Sequence, residues 1–221
     1  VVNTTNRDVF SGVQAVRTEV KDPELISTLF DPAIVYAKGG RLLKMLREYI
    51  GKDAFRAGLK LYFKKHAYKN TVRDDLWNCL SSASGKDVKD FMDPWLNQPG
   101  MPLVTVKGAS TGYTLTQQRF LMDGEDKNTT WPIPLLTKGE FGSEVFTTHE
   151  QTVHTTDLAV LNQYGSGHYI TTYDNNSKSN LLTALSHKTL SAEARILFYN
   201  DNLLLAKHGD ISITELLDAA M

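Results

Sequence analysis

Gln98-Pro99-Gly100-Met101-Pro102 decides how this chain is read. Two prolines around a glycine do not continue a helix. The hydrophobic pattern also changes across them. Before Gln98, apolar residues recur near the helical period of about 3.6; beyond Pro102 they alternate with a period of two, as in strands.

Working back from the boundary, Asp87 caps a helix carrying Val88, Phe91, Met92 and Trp95, with Pro94 expected to bend it near its end. A helix opening at Thr71 presents Leu76, Leu80 and Ala83, and one from Asp53 turns Phe55, Leu59, Tyr62 and Phe63 inward. Asp22-Pro23-Glu24 and Asp31-Pro32 each place a capping carboxylate before a proline, an arrangement that suits a helix start. The second opens a long helix with Val35, Leu42, Met45, Leu46 and Tyr49 on its period, stopped by Gly51. The first ~20 residues carry little periodicity, so helices are predicted mainly over residues 22–97.

Working forward, Leu103, Val104 and Val106 predict a strand and Tyr113 to Gln117 another. Ile133 to Leu136, Glu144 to Thr147 and His168 to Tyr173 add three more, separated by Gly, Asp and Asn clusters. From Ser179 the helical period returns in Leu181, Leu182 and Leu185, then Ala194, Leu197 and Phe198, then Leu204 and Leu205, with a last helix over Thr214–Met221. The fold class expected is mixed α and β, in three parts. Residues 1–98 form a helical layer, 99–176 a small antiparallel β-sandwich, and 177–221 the first helices of a further α-helical domain.

Bulk composition excludes little else. With 24 Lys+Arg against 25 Asp+Glu, the net charge of −1 gives no general attraction to nucleic acid or an anionic membrane. No apolar run is long enough to cross a bilayer, and no signal peptide is visible. The single cysteine, Cys79, excludes an intrachain disulfide and reads as a small buried hydrophobe. Among six histidines, none makes the H-E-x-x-H pattern that sets two imidazoles on one helix face. His149 and His154 would lie on opposite faces of a strand, so no metal site is expected. Phe55, Tyr62, Phe63, Trp77, Phe91 and Trp95 read as core. Lys64-Lys65 reads as a solvated face, and Gly165-Ser166-Gly167 is too isolated to argue nucleotide binding.

Asp31 to Gly40 contains Tyr36, Ala37, Lys38 and Gly39, followed by Leu42, Leu43, Met45 and Leu46. This resembles the M1 aminopeptidases (gluzincins), in which a tyrosine, any residue and Lys-Gly open a Leu- and Met-rich helix. The downstream order is also similar: Gly51 to Phe55, Gly58, Tyr62, His66, Tyr68, Asn70 and Thr71, Asp75 to Trp77, Phe91-Met92, Trp95, and Gln98 to Pro102. Asn162 and Gly167 to Asp174 resemble a weaker sandwich motif, and Arg195 to Ser212 the start of the family's C-terminal helical domain. The wording Trp-Leu-Asn-Gln-Pro-Gly looks most like bacterial cytosolic, aminopeptidase N-like enzymes, which implies a cytoplasmic location.

The resemblance implies a thermolysin-like catalytic domain whose C-terminal helical part is residues 1–98. It implies a zinc-dependent parent acting on peptide substrates, with the zinc motif and the recognition of the substrate's free amine before Val1. The chain then reads as an internal fragment, partnered by the upstream catalytic domain and binding no zinc itself. Tyr36 is the catalytic residue implied. A phenol is protonated near neutrality and can donate a hydrogen bond to the tetrahedral oxyanion. Lys38 either contacts the active-site rim or is a solvated charge, and the second is the favoured reading. Gly39 and Gly40 cost roughly 1 kcal/mol each in helix propensity, which close packing of another segment would explain. The alternative function is a non-catalytic helical plus β-sandwich interaction module.

Overall fold

The computed structural model describes residues 2–136, 145–154 and 160–218. A short α1 (Val2–Arg7) and a 3₁₀ turn (Pro23–Leu25) leading into α2 (Ile26–Leu29) precede a π-helical turn, Ala33–Lys38. That turn runs without a break into α3 (Gly39–Ile50), and α4 (Lys52–His66), α5 (Arg73–Ser84) and α6 (Val88–Asn97) complete the helical layer. Asp22 caps the 3₁₀ turn by accepting from the Glu24 amide, and Asp87 caps α6 by accepting from the Asp90 amide. Gly51 ends α3 at φ +90°. α5 begins at Arg73 rather than Thr71, because the Asp75 carboxylate reaches back to the Val72 amide at 2.9 Å and the Thr71 hydroxyl pairs with Tyr62 instead.

α4 departs from expectation. Only Gly58 is buried along it; Phe55 and Tyr62 are half-buried, and Phe63 is 66% exposed. The periodicity is helical, but the helix lies at the edge of the layer and touches α5 through its glycine. A Cβ on Gly58 would stand 2.9 Å from the Leu80 Cα and 2.7 Å from Leu80 Cδ2. Lys64 and Lys65 are exposed, and Cys79 is buried beside this crossing.

Beyond the boundary, β1 (Pro102–Ala109) and β2 (Gly112–Arg119) form a hairpin. β5 (Glu150–Val153) adds to β2 antiparallel, and β6 (Ile170–Tyr173) adds to β1, giving the order β5-β2-β1-β6. β3 (Ile133–Pro134) and β4 (Val145–Phe146) make a separate two-stranded ladder. The antiparallel expectation fails at one pair: β6 runs parallel to β1, with Leu103 opposite Ile170. Alternation reports which face a residue occupies and says nothing of strand direction. The long connection that a parallel pair requires is supplied by everything between the two strands. Glu144, expected in a strand, lies outside the described residues.

α7 (Asn175–Ser186), α8 (Ala192–His208) and α9 (Ile213–Asp218) follow. Asp174 and Ser191 cap the first two, and Ser212 with Glu215 closes a reciprocal capping box on the third. α7 starts ahead of the expected Ser179 because Asp174 supplies the cap.

One buried cluster joins the two layers. Leu42, Met45 and Leu46 of α3 and Phe91 and Trp95 of α6 share it with Val104, Leu115, Trp131, Ile133, Phe146 and Tyr169. α8 is fastened to the sheet differently. The Thr171 amide and hydroxyl both donate to Asp201 Oδ2, at 2.9 and 3.0 Å, in a buried setting. Burial pushes the Asp201 carboxyl up to about 7, against the opposing pull of Thr171 and the Arg41 charge.

Two predictions follow from this packing. Gly58→Ala should lower unfolding stability by about 1–3 kcal/mol in denaturant titration, because the clash is with backbone and cannot be relieved by a side-chain rotation. For Asp201, a folded pKa raised above the unfolded one means its contribution is complete below about 4 and is lost as pH rises towards 7. Asp201→Asn removes this titration. The Tm of the variant minus that of the wild type should therefore climb between about pH 4 and pH 7 and level off above that, and a flat difference over this range would mean that Asp201 is not held protonated.

Candidate functional site

The site is built on the turn that joins α2 to α3. Asp31 begins it: its carboxylate accepts from the Ala33 amide at 2.9 Å and pairs with Arg7 at 2.7 Å. The Gly39 amide then reaches back five residues to the Ile34 carbonyl, the bond that makes the turn π-helical. Single π turns set into α-helices are frequent at functional sites, because they re-aim a side chain without breaking the helix.

Helical residues turn by roughly 100° each, so positions two apart point to opposite sides. Tyr36 accordingly faces outward, 69% exposed, with the Phe30 ring edge-on to it at 5.5 Å. Ile34 and Lys38 face inward and have no exposed surface. Among the described residues, nothing lies within 4 Å of where a Cβ would stand on Gly39 or Gly40. The close packing expected at those glycines is thus not made by any described segment.

Lys38 corrects the sequence reading. It is not a solvated charge: its ammonium is fully buried, donates to Asp8 Oδ1 at 3.3 Å and to the Gly100 carbonyl at 2.8 Å, and forms an ion pair with Asp8 Oδ2 at 2.9 Å. The Asp8 carboxylate also accepts from the Gly100 amide at 3.1 Å and from His168 Nε2 at 2.7 Å. On its other side, His168 Nδ1 faces Arg41 Nε at 3.2 Å. An arginine nitrogen can only donate, so Nδ1 must accept and the imidazole proton sits on Nε2.

The protonation states agree with this geometry. Burial pulls the His168 imidazole down to about 4; the Lys38 and Arg41 charges add to that, and Asp8 opposes it. Asp8 feels burial pushing it up, but the His168 hydrogen bond and the Lys38 charge outweigh it and hold the carboxyl below its usual range. Burial draws Lys38 down, partly offset by Asp8. At neutral pH the imidazole is neutral, and Lys38 is paired with the Asp8 carboxylate, with the Arg41 guanidinium beside the cluster.

The surrounding backbone is shaped to admit these groups. Gly100 has φ +85°, and a Cβ there would run into the Arg119 guanidinium. Asn162 holds Gly167 from both sides, accepting from its amide at 2.7 Å and donating to its carbonyl at 3.1 Å. Arg41 donates to the same carbonyl. The Asn162 and Gly167–His168 segment therefore serves to present His168 to Asp8.

Asp8, Arg41 and His168 were not singled out from sequence as parts of a site. One signal was available. Ile34, Lys38, Arg41, Leu42 and Met45 fall on a single helical stripe, and two cations on a buried stripe call for buried partners. His149 and His154 are both exposed, and His154 Nδ1 meets Thr111. Among the described residues, no group of three His, Cys, Asp or Glu side chains is arranged to hold a metal ion. None of their helices is long and apolar enough to cross a membrane.

Comparison with known proteins places this turn in a family. Residues 1–95 match the Peptidase family M1 domain, ending just before the Gln98 boundary. Aminopeptidase N of Lactococcus lactis subsp. lactis is 43% identical over 225 residues, which is 98% of this chain and 26% of that protein. Aminopeptidase N of Lactobacillus helveticus is 48% identical over 132 residues, 59% of this chain and 16% of the relative. Tricorn protease-interacting factor F2 of Thermoplasma volcanium is 34% identical over 94% of this chain and 26% of its own length. The chain thus spans about a quarter of the length of the Lactococcus lactis and Thermoplasma volcanium relatives. With its first 95 residues inside that domain and its identity extending through the sheet and the later helices, the chain belongs to peptidase family M1.

Proposed function

We propose that this chain is part of a zinc-dependent aminopeptidase that removes N-terminal residues from peptides, and that Tyr36 is its catalytic residue. The observation that carries the reading is the pairing of an exposed phenol with a fully buried anchor two residues later, within the segment matched by the M1 domain. The phenol is free to meet a substrate, while the backbone that carries it is fixed from behind. In that setting Tyr36 donates a hydrogen bond to the oxyanion that forms when the scissile carbonyl is attacked. A preorganised donor of this kind is worth ~3 kcal/mol at the transition state, or about a hundredfold in rate.

The described residues do not fit the zinc ion that the resemblance implies, since no three ligands converge. On this reading the ion, the activation of water and the recognition of the substrate's amino group belong to residues outside those described. Residues 1–98 act as the helical end of the catalytic domain, 99–176 as a β domain and 177–221 as the opening of a helical domain. The resemblance to cytosolic bacterial enzymes supports a cytoplasmic location.

In the full-length protein, Tyr36→Phe should lower kcat about a hundredfold on a chromogenic amino-acid amide and change KM by less than about threefold. An unchanged kcat would remove Tyr36 from the mechanism. The 221-residue chain alone, at 24.7 kDa, should bind no stoichiometric zinc by elemental analysis and turn over no amide. Zinc and turnover at that mass would sink the assignment.

A further inference from the structure

We propose that Asp8, Lys38 and His168 form a positioning cluster for Tyr36, through which a loop of the β region sets the orientation of the phenol. The inference rests on the Tyr36 reading above. It begins from an imbalance: Tyr36 itself touches little. Its described ring contact is with Phe30, and the remainder of the side chain is open. Such a side chain is aimed by its backbone, and that backbone is the turn Ala33–Lys38.

Lys38 is the polar tether on the inner side of that turn. Its ammonium donates to Asp8 Oδ1 and to the Gly100 carbonyl, and lies at ion-pair distance from Asp8 Oδ2. Asp8 in turn is saturated by Lys38, the Gly100 amide and His168. Asp8, Lys38 and His168 hold one another in one arrangement, since displacing any of the three leaves a desolvated polar atom behind, although Nη1 of the neighbouring Arg41 has no hydrogen-bond partner among the described residues. Lys38 therefore cannot move without breaking the bonds of Asp8, and Asp8 cannot move without breaking those of His168. His168 is locked by Arg41 and by the loop that Asn162 braces.

Stability alone does not account for the cluster. A buried ion pair is often no better than apolar residues of equal volume, because the desolvation of both charges offsets their attraction. Methionine at position 38 would fill the space but could not engage the two Asp8 oxygens and the Gly100 carbonyl. What the ion pair adds is a defined direction for the turn, and Tyr36 lies two residues away.

The test is a double-mutant cycle in the full-length protein, with Tyr36→Phe and Lys38→Met alone and combined. The expected result is a kcat about tenfold lower in Lys38→Met with KM within about twofold, and less than about twofold further loss of kcat when Lys38→Met is added to Tyr36→Phe. Independent losses that multiply would overturn the inference and leave the Tyr36 reading standing. Full kcat in Tyr36→Phe would overturn both. His168 supplies a second readout: His168→Leu should follow the same cycle, whereas His168→Gln keeps a donor for Asp8 and an acceptor for Arg41 and should restore most of kcat. Equal activity in the Leu and Gln variants would overturn the role given to His168. Asp8→Asn is the milder variant if Lys38→Met does not fold, and an undiminished kcat there would also overturn the proposal.

Discussion

The Asp8–Lys38 ion pair stands where neither charge touches solvent, and burying two ions costs several kcal/mol for each unless their hydrogen bonds are complete. That requirement propagates outward. Gly100 must offer both its amide and its carbonyl to the pair, which fixes the chain as it leaves α6 for β1. His168 must remain neutral with its proton on Nε2, so Arg41 has to occupy the other ring nitrogen. The π turn must end with Lys38 inward, which leaves Tyr36 outward.

The junction between helices and sheet is correspondingly tight. The Trp95 indole donates to the Pro132 carbonyl and the Gln98 side-chain Nε2 to the Thr130 carbonyl. Gln117, buried in β2, exchanges hydrogen bonds with Trp131 and also donates to the Thr148 carbonyl. These polar bonds run beside a continuous apolar cluster shared by α3, α6 and the strands. The Pro-Gly stretch that reads as a boundary is thus a bonded corner between the helical layer and the sheet.

How much of this was legible in the sequence depends on the kind of information required. Helix positions were, because caps and periods are local: Asp22, Asp87 and Gly51 act where they stand in the chain. Burial of α4 was not, since Phe63 follows the helical period on a helix at the edge of the layer, and only its neighbours decide that. The direction of β6 was hidden because alternation is the same in parallel and antiparallel strands. Tyr36 was singled out by the order of residues around it, and its catalytic role is a proposal. Lys38 was misread because its partner Asp8 lies 30 residues away in a stretch without periodicity. His168 lies 160 residues from Asp8, a distance at which no local pattern carries information.

That separation also bears on how the chain is made. At about 5–20 residues per second, roughly 8–32 s pass between synthesis of Asp8 and of His168. Until His168 is made, the nascent helical layer holds Asp8 and Lys38 without the imidazole that completes their cluster, and β1 waits about 3–13 s for its parallel neighbour, since Ile170 follows Leu103 by 67 residues. Formation of the helices is local and early, while closure of the turn behind Tyr36 depends on distant contacts and comes late. The tyrosine's final setting therefore matures only after His168 has been made, well after the ribosome has passed the helix that bears it.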